Sequence, residues 1–343
     1  LGFKIEFKKY DDVTNLIARY GTEKPVLAYV GHTDVVPTGD INKWETDPFK
    51  LTDKNSKLYG RGTSDMKGGI ACMMHAIQEH LSDNKNFIGS IIVILTSDEE
   101  GPAINGIKKL VESGYLTPYE IDMCIVGEPS CKKTIGDTIK NGRRGSLSGR
   151  LKIQGIQGHI AYPQNAMNPI HAFSPVLNRL ISQKYDDGNQ YFPPTSFQIS
   201  NINSGVGTTN IIPGELSMDF NFRYSTETTK NELQNKVEDI MKESGLDYNI
   251  TWSHSGDPFL TERKDLLDAC VKSVKEELGM TAEISTDGGT SDGRFMAKIC
   301  NQVIEFGLIN KSIHKINEHT TEADLDAVTK VYKSMLNRLL PRQ

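Results

Sequence analysis

The sequence predicts an α/β protein in which a domain built on a mostly parallel sheet is interrupted by a smaller α+β domain. Three observations carry that prediction. Short, continuous apolar runs alternate with helix-patterned stretches in the first third and again near the end. The middle of the chain switches to amphipathic strands with a period of two. The length, 343 residues, is enough for two hydrophobic cores.

Taken in order, "PVLAYVGH" and "GSIIVILTS" predict buried strands, because they are short, unbroken and rich in β-branched residues. Between them Ile70, Met73, Met74, Ile77 and Leu81 recur at helical spacing, and "IDMCIVGE" predicts a third strand after a helix ending near "ESG". "SLSGRLKIQG" then alternates, "NPIHAFSPVLNRLIS" is a helix with Pro169 near its start, and "TSFQISNIN" and "GELSMDFNFRY" are strands. A helix carrying Leu233, Val237, Ile240 and Met241 and the strand "DYNITWS" complete a β-α-β-β-α-β order, the split βαβ pattern of a small ferredoxin-like domain. From Asp257 the α/β style resumes, with Leu266, Leu267, Cys270, Val271 and Val274 on a helix. The predicted domains are therefore 1–144 with 258–343, and 145–257.

Composition excludes several classes. A net charge of -5 offers no surplus of Lys and Arg for phosphates, so no nucleic-acid partner is expected. The longest apolar runs, "VLAYV" and "IIVIL", are of core-strand length, and no membrane partner is expected. The five cysteines show no Cys-x-x-Cys spacing, which predicts reduced thiols in a cytoplasm. The chain opens on "LGFKIEF" without an initiator Met, so an upstream segment is expected. "GRGTSDMKGG" and "DGGTSDGRF" match neither the dinucleotide fingerprint nor the P-loop, and nucleotide binding is set aside.

In open α/β sheets ligands bind beyond the carboxyl ends of the strands. Metal-capable side chains fall at just such places. His32 and Asp34 follow "VLAYVG", Asp65 precedes a helix, Asp98, Glu99 and Glu100 follow "IIVIL", Glu128 follows "MCIVG", and His314 follows "NQVIEFGLI". Each alone has an ordinary reading as a loop histidine, a helix cap or a solvated acid. Together they suit two Zn²⁺ or similar ions, which accept both imidazole nitrogen and carboxylate oxygen. A dinuclear centre also needs a bridging carboxylate, and that explains why acids outnumber histidines. Asp98 is left as solvated charge at a strand end.

The set "GHTDVVP", "LYGRGTSDMKGG", "TSDEEG", "VGEPS", "NGRRGS", "IQGHIAYP", "GGTSDGRF" and "IHKINE" resembles the di-zinc amidohydrolase and peptidase family, which includes carboxypeptidases, aminoacylases and acetylornithine deacetylase. The resemblance runs through nearly the whole chain. It implies a zinc-peptidase-like catalytic domain and two Zn²⁺ per subunit, with Co²⁺ able to replace them. His32 and Glu128 would hold one ion, Glu100 and His314 the other, and Asp65 would bridge them. Asp34 would hold the second ring nitrogen of His32 and fix its tautomer. Glu99 would be the general base and then the general acid. His159 would donate to the oxyanion from across a homodimer interface formed by the inserted domain.

"NGRRGS", "GHIAYP" and "GGTSDGRF" are most similar to the branch that hydrolyses N-succinyl-L,L-diaminopimelate in lysine and cell-wall precursor synthesis. That substrate is rich in carboxylates, which arginine clamps bidentately. Arg143 and Arg223 match its substrate-binding arginines, and Tyr162, Asn210, Ser255, Gly289 and Thr290 its polar contacts. For Arg223 the plain alternative is solvated charge on the polar face of a strand. The competing activities are acetylornithine deacetylase or dipeptidase of the same family, with a non-catalytic metal- or peptide-binding homologue behind them. Retention of Glu99 beside all five ligands favours an enzyme, since binding alone needs no base.

Overall fold

A computed structural model of the chain describes residues 1–84, 86–262 and 264–342. They form two units: Leu1–Gly142 with Leu260–Thr286 and Ser291–Gln343, and Arg143–Phe259 with Asp287–Thr290. The second unit thus gathers four residues that lie far downstream in the sequence.

The first unit is built on an eight-stranded sheet. From edge to edge it runs Lys4–Tyr10, Val13–Tyr20, Ser90–Thr96, Val26–His32, Met123–Val126, Val303–Glu305, Thr138–Lys140 and Glu283–Ser285. The four strands from Ser90–Thr96 to Val303–Glu305 are mutually parallel. Val26–His32 is buried at every residue, and this is why its sequence is continuously apolar rather than alternating. Leu27, Tyr29, Ile91, Val93, Met123, Ile125 and Ile304 face one core. The alternate residues Ala28, Val30, Ile92, Ile94 and Cys124 point the opposite way and are equally buried.

Three helices share that core. Lys67–Asp83 contributes Met73, Ala76 and Ile77, Asp265–Leu278 contributes Leu266, Cys270 and Val274, and Glu322–Leu339 contributes Val328, Tyr332, Met335 and Leu336. Each set recurs at three- and four-residue spacing, so one stripe per helix is covered. Thr321 caps the last helix by accepting from the Asp324 N–H. All five cysteines are buried and none is in a disulfide. Among the described residues no helix is long and apolar enough to cross a membrane.

The sequence reading contained no N-terminal hairpin, yet Lys4–Tyr10 and Val13–Tyr20 pair antiparallel and extend the sheet. The first strand leaves Ile5 and Phe7 exposed, so its apolar residues do not mark a buried face.

The second unit is a four-stranded antiparallel sheet in the order Ser196–Ser204, Glu215–Tyr224, Gly145–Gln154 and Tyr248–Gly256. Helices Pro169–Ser182 and Lys230–Ser244 cover one face with Phe173, Val176, Leu180, Leu233, Val237 and Met241. The second of these helices opens with a capping box, Thr229 and Glu232, and closes on Gly245 at φ +65°.

Candidate metal centre

Strand register brings the acids together. His32 lies opposite Thr96, and Val30 opposite Val126, so the chain leaves the sheet at 97–100 and at 127–128 along one edge. Asp65 comes to that edge because the helix behind it packs very close. A Cβ on Gly68 would stand 2.2 Å from the Thr63 carbonyl oxygen, and one on Gly69 2.7 Å from that of Gly127. His314, at φ 58°, projects from the loop between strand Val303–Glu305 and the last helix.

The result is two triads that share one residue. In the first, His32 Nε2 is 3.3 Å from Asp65 Oδ1 and 3.7 Å from Glu128 Oε1. In the second, His314 Nε2 is 3.2 Å from Asp65 Oδ2 and 3.1 Å from Glu100 Oε1. The ligand-capable atoms of each triad all lie within 4.8 Å of one another. Zinc bonds of about 2.0–2.2 Å in a tetrahedral site put neighbouring ligand atoms roughly 3.3–3.6 Å apart. The observed spacings fit, and Asp65 presents a different oxygen to each histidine.

The close approach of these groups shifts their protonation equilibria. Burial opposes protonation of His32, but its hydrogen bond with Asp65 and the charges of Glu128 and Glu99 lift it to about 11. His314 is raised to about 9, first by its hydrogen bond to Asp65. Burial works against ionising Asp65, yet hydrogen bonds with His314 and His32 hold it near about 2. Burial pushes Glu128 well above the carboxylate range, with Glu99 and Asp65 adding to it. Burial likewise lifts Glu99 to about 7. Burial disfavours the charged forms of Glu99 and Glu128 while the surrounding carboxylates draw protons to both imidazoles, a balance that a divalent cation would change by supplying the positive charge itself.

Two sequence expectations are corrected. His32 Nδ1 is held not by the Asp34 carboxylate but by the Asp34 backbone oxygen, at 2.9 Å, with the nearer carboxylate oxygen at 3.7 Å. The carboxylate instead accepts from the backbone N–H groups of Glu99, at 3.1 Å, and Glu100, at 2.9 Å. Asp34 therefore fixes the His32 ring with its main chain and the backbone of Glu99 and Glu100 with its side chain. Asp98 is not solvated charge: it is 6% exposed and accepts from the N–H groups of Ala103, Ile104 and Asn105. It closes the loop that follows Glu99 and Glu100 by accepting from three successive N–H groups.

Sequence reasoning also left Asp292 unassigned, although "GGTSDGRF" contains it. It is 2% exposed, and among the described residues neither carboxylate oxygen has a hydrogen-bond partner. Burial, with the charge of Glu99 next, raises it well above the carboxylate range.

The remaining candidates lie in the second unit. His159 sits on the short strand Gly158–His159, is exposed, and accepts from the Ala161 N–H at 3.0 Å. Tyr162 is beside it, with ring centroids 5.6 Å apart, and the Asn210 carbonyl accepts from the Ile160 N–H at 3.1 Å. His159, Tyr162 and Asn210 thus form one cluster. Arg143 Nη1 donates to the Asp287 carbonyl at 2.8 Å, in the segment that carries Gly289 and Thr290. Arg223 pairs across the sheet with Ser146, whose other partner is Gly256, the neighbour of Ser255. The structure brings the five predicted ligands, Glu99 and Asp34 together in the first unit and places the rest in the second.

Residues 28–338 match the model of peptidase family M20/M25/M40. The chain is 50% identical over 340 residues to the succinyl-diaminopimelate desuccinylase of Nitrosomonas eutropha, covering 99% of this chain and 90% of that one. It is 49% identical over 339 residues to the enzyme of the same name from Acinetobacter baylyi, again at 99% and 90%. Among solved structures, an M20 family metallo-carboxypeptidase from Sulfolobus solfataricus superposes with a TM-score of 0.84 at 18% identity, covering 99% of this chain and 91% of that one. A dinuclear metal-binding M20 peptidase from Bacillus subtilis gives 0.69 at 16% identity, with coverage of 96% and 86%. At those identities the structures speak to fold.

Proposed function

This chain belongs to peptidase family M20/M25/M40, and from that footing we propose that it hydrolyses N-succinyl-L,L-diaminopimelate to succinate and L,L-diaminopimelate. The hydrolytic part rests on one observation, the two triads joined through Asp65 with Glu99 beside them. The substrate is supported by relatives about half identical over nearly the whole chain, which carry the desuccinylase name.

His32 and Glu128 would hold one divalent ion and Glu100 and His314 the other, with Asp65 contributing to each. Zinc is the preferred occupant, with cobalt able to replace it. Divalent ions held there would supply Lewis acidity toward the scissile carbonyl and would acidify the attacking water. Glu99 accepts a proton from the attacking water. The carbon–nitrogen bond then breaks, and Glu99 returns the proton to the departing nitrogen. Asp34 keeps Glu99 and Glu100 in place by binding their N–H groups. Arg143 and Arg223 receive substrate carboxylates, and Tyr162, Asn210, Ser255, Gly289 and Thr290 supply polar contacts.

The second unit also forms a homodimer, from which His159 of the partner subunit donates to the oxyanion. Mixing Glu99→Gln protein with His159→Ala protein is expected to restore one working site per heterodimer. No recovery after confirmed subunit exchange would contradict the shared site. The five buried thiols suit a reducing cytoplasm.

A substrate panel tests the central reading. The zinc-loaded protein should release succinate from N-succinyl-L,L-diaminopimelate far faster than it deacylates N-acetylornithine or cleaves a dipeptide. Preference for either of the others would replace the proposed substrate while leaving the hydrolytic centre standing.

A further inference from the structure

Glu318 stands four residues after His314 and is completely buried. Its Oε1 accepts from the backbone N–H groups of Ser64, at 2.9 Å, and of Asp65 itself, at 3.0 Å. Its Oε2 accepts from Arg61 Nη1 at 2.6 Å, and the two side chains are 0% and 2% exposed. Arg61 in turn donates through Nη2 to the Pro37 carbonyl at 3.2 Å, on the loop that leaves His32, and lies 5.2 Å over the Trp44 ring. The Ser64 hydroxyl donates to the His319 carbonyl at 3.0 Å, and Ser312, two residues before His314, donates to the same oxygen at 2.8 Å. One buried ion pair therefore joins the loops that carry His32, Asp65 and His314.

A buried ion pair is poor value as a stabilising device, because desolvation offsets most of its Coulomb attraction. Here Glu318 Oε1 accepts from two adjacent N–H groups, that of Ser64 and that of Asp65, the residue shared by the two triads. We propose that Glu318, braced by Arg61, is a positioning residue for the metal centre: it fixes the Asp65 main chain so that each carboxylate oxygen meets its own ion. Neither residue touches a ligand atom or the reacting groups. The inference rests on the metal reading above, and its test separates the two.

Two double variants remove the ion pair and differ in one respect. Arg61→Met with Glu318→Leu abolishes the acceptor for the Ser64 and Asp65 N–H groups. Arg61→Met with Glu318→Gln keeps an amide oxygen there. Thermal unfolding of the metal-free proteins establishes that each is folded, and Zn²⁺ is then titrated against a competing chelator. The wild type should bind two ions per chain. The Leu variant should bind them about 10–100-fold more weakly, the usual cost of losing an outer partner, while the Gln variant stays close to the wild type. A folded Leu variant with wild-type affinity overturns the proposal, and so does an equal loss in both variants, which would assign the effect to the charges. A folded wild type that binds no Zn²⁺ overturns the metal reading itself.

Discussion

Glu99→Gln is expected to bind two divalent ions as the wild type does and to lose about 10²–10⁴-fold in turnover, the usual worth of a general acid–base group. The glutamine has nearly the same shape, and the N–H groups of residues 99 and 100 still donate to Asp34, so the loop is undisturbed. What it lacks is a basic oxygen for the water's proton. Glu99 belongs to neither triad, which is why metal content should survive. Turnover near the wild-type value would move the base elsewhere, and loss of an ion would make Glu99 a ligand.

Asp65→Ala should be the most damaging change at the centre. It takes one ligand-capable carboxylate from each triad at once, leaving His32 with Glu128 and His314 with Glu100. Both ions should be held more weakly, by more than the roughly 10–100-fold that an outer partner costs, and hydrolysis should fall to background. Glu100→Gln should weaken only the ion shared with His314. Calorimetric Zn²⁺ titration of the metal-free wild type and of these two variants distinguishes the patterns. Equal behaviour of Asp65→Ala and Glu100→Gln would mean that Asp65 does not serve both ions.

The central strands were legible because a strand buried on both faces must be apolar throughout, as Val26–His32 is. The helices at 67–83 and 265–278 were legible because each buries one stripe. The N-terminal hairpin was not: its outer strand alternates but leaves Ile5 and Phe7 outside. Strands of two or three residues, such as His319–Thr320 against Lys57–Tyr59, are too short for a period to show. Asp287–Thr290 joins the second unit through tertiary contacts, which a contiguous reading over 145–257 has no means to include.

At the site, residue type and position at strand ends identified which groups meet. Their separate duties depended on geometry. Spacing suggested that Asp34, two residues from His32, would use its carboxylate on the ring, whereas its carbonyl is closer and the carboxylate turns to the next loop. Asp98 looks like surplus charge beside Glu99 and Glu100, and only the fold of 103–105 over it gives it donors. Glu318 had its signal in "IHKINE", but its target, the main chain of Asp65, is 253 positions away.

The most direct measurement adds Zn²⁺ stepwise to metal-free protein while succinate release from N-succinyl-L,L-diaminopimelate is followed. The two triads predict no hydrolysis without metal and a rise that levels off by two equivalents per chain. Full hydrolysis by thoroughly metal-free protein, or a folded protein that takes up Zn²⁺ at both sites and leaves this substrate intact, would contradict the account.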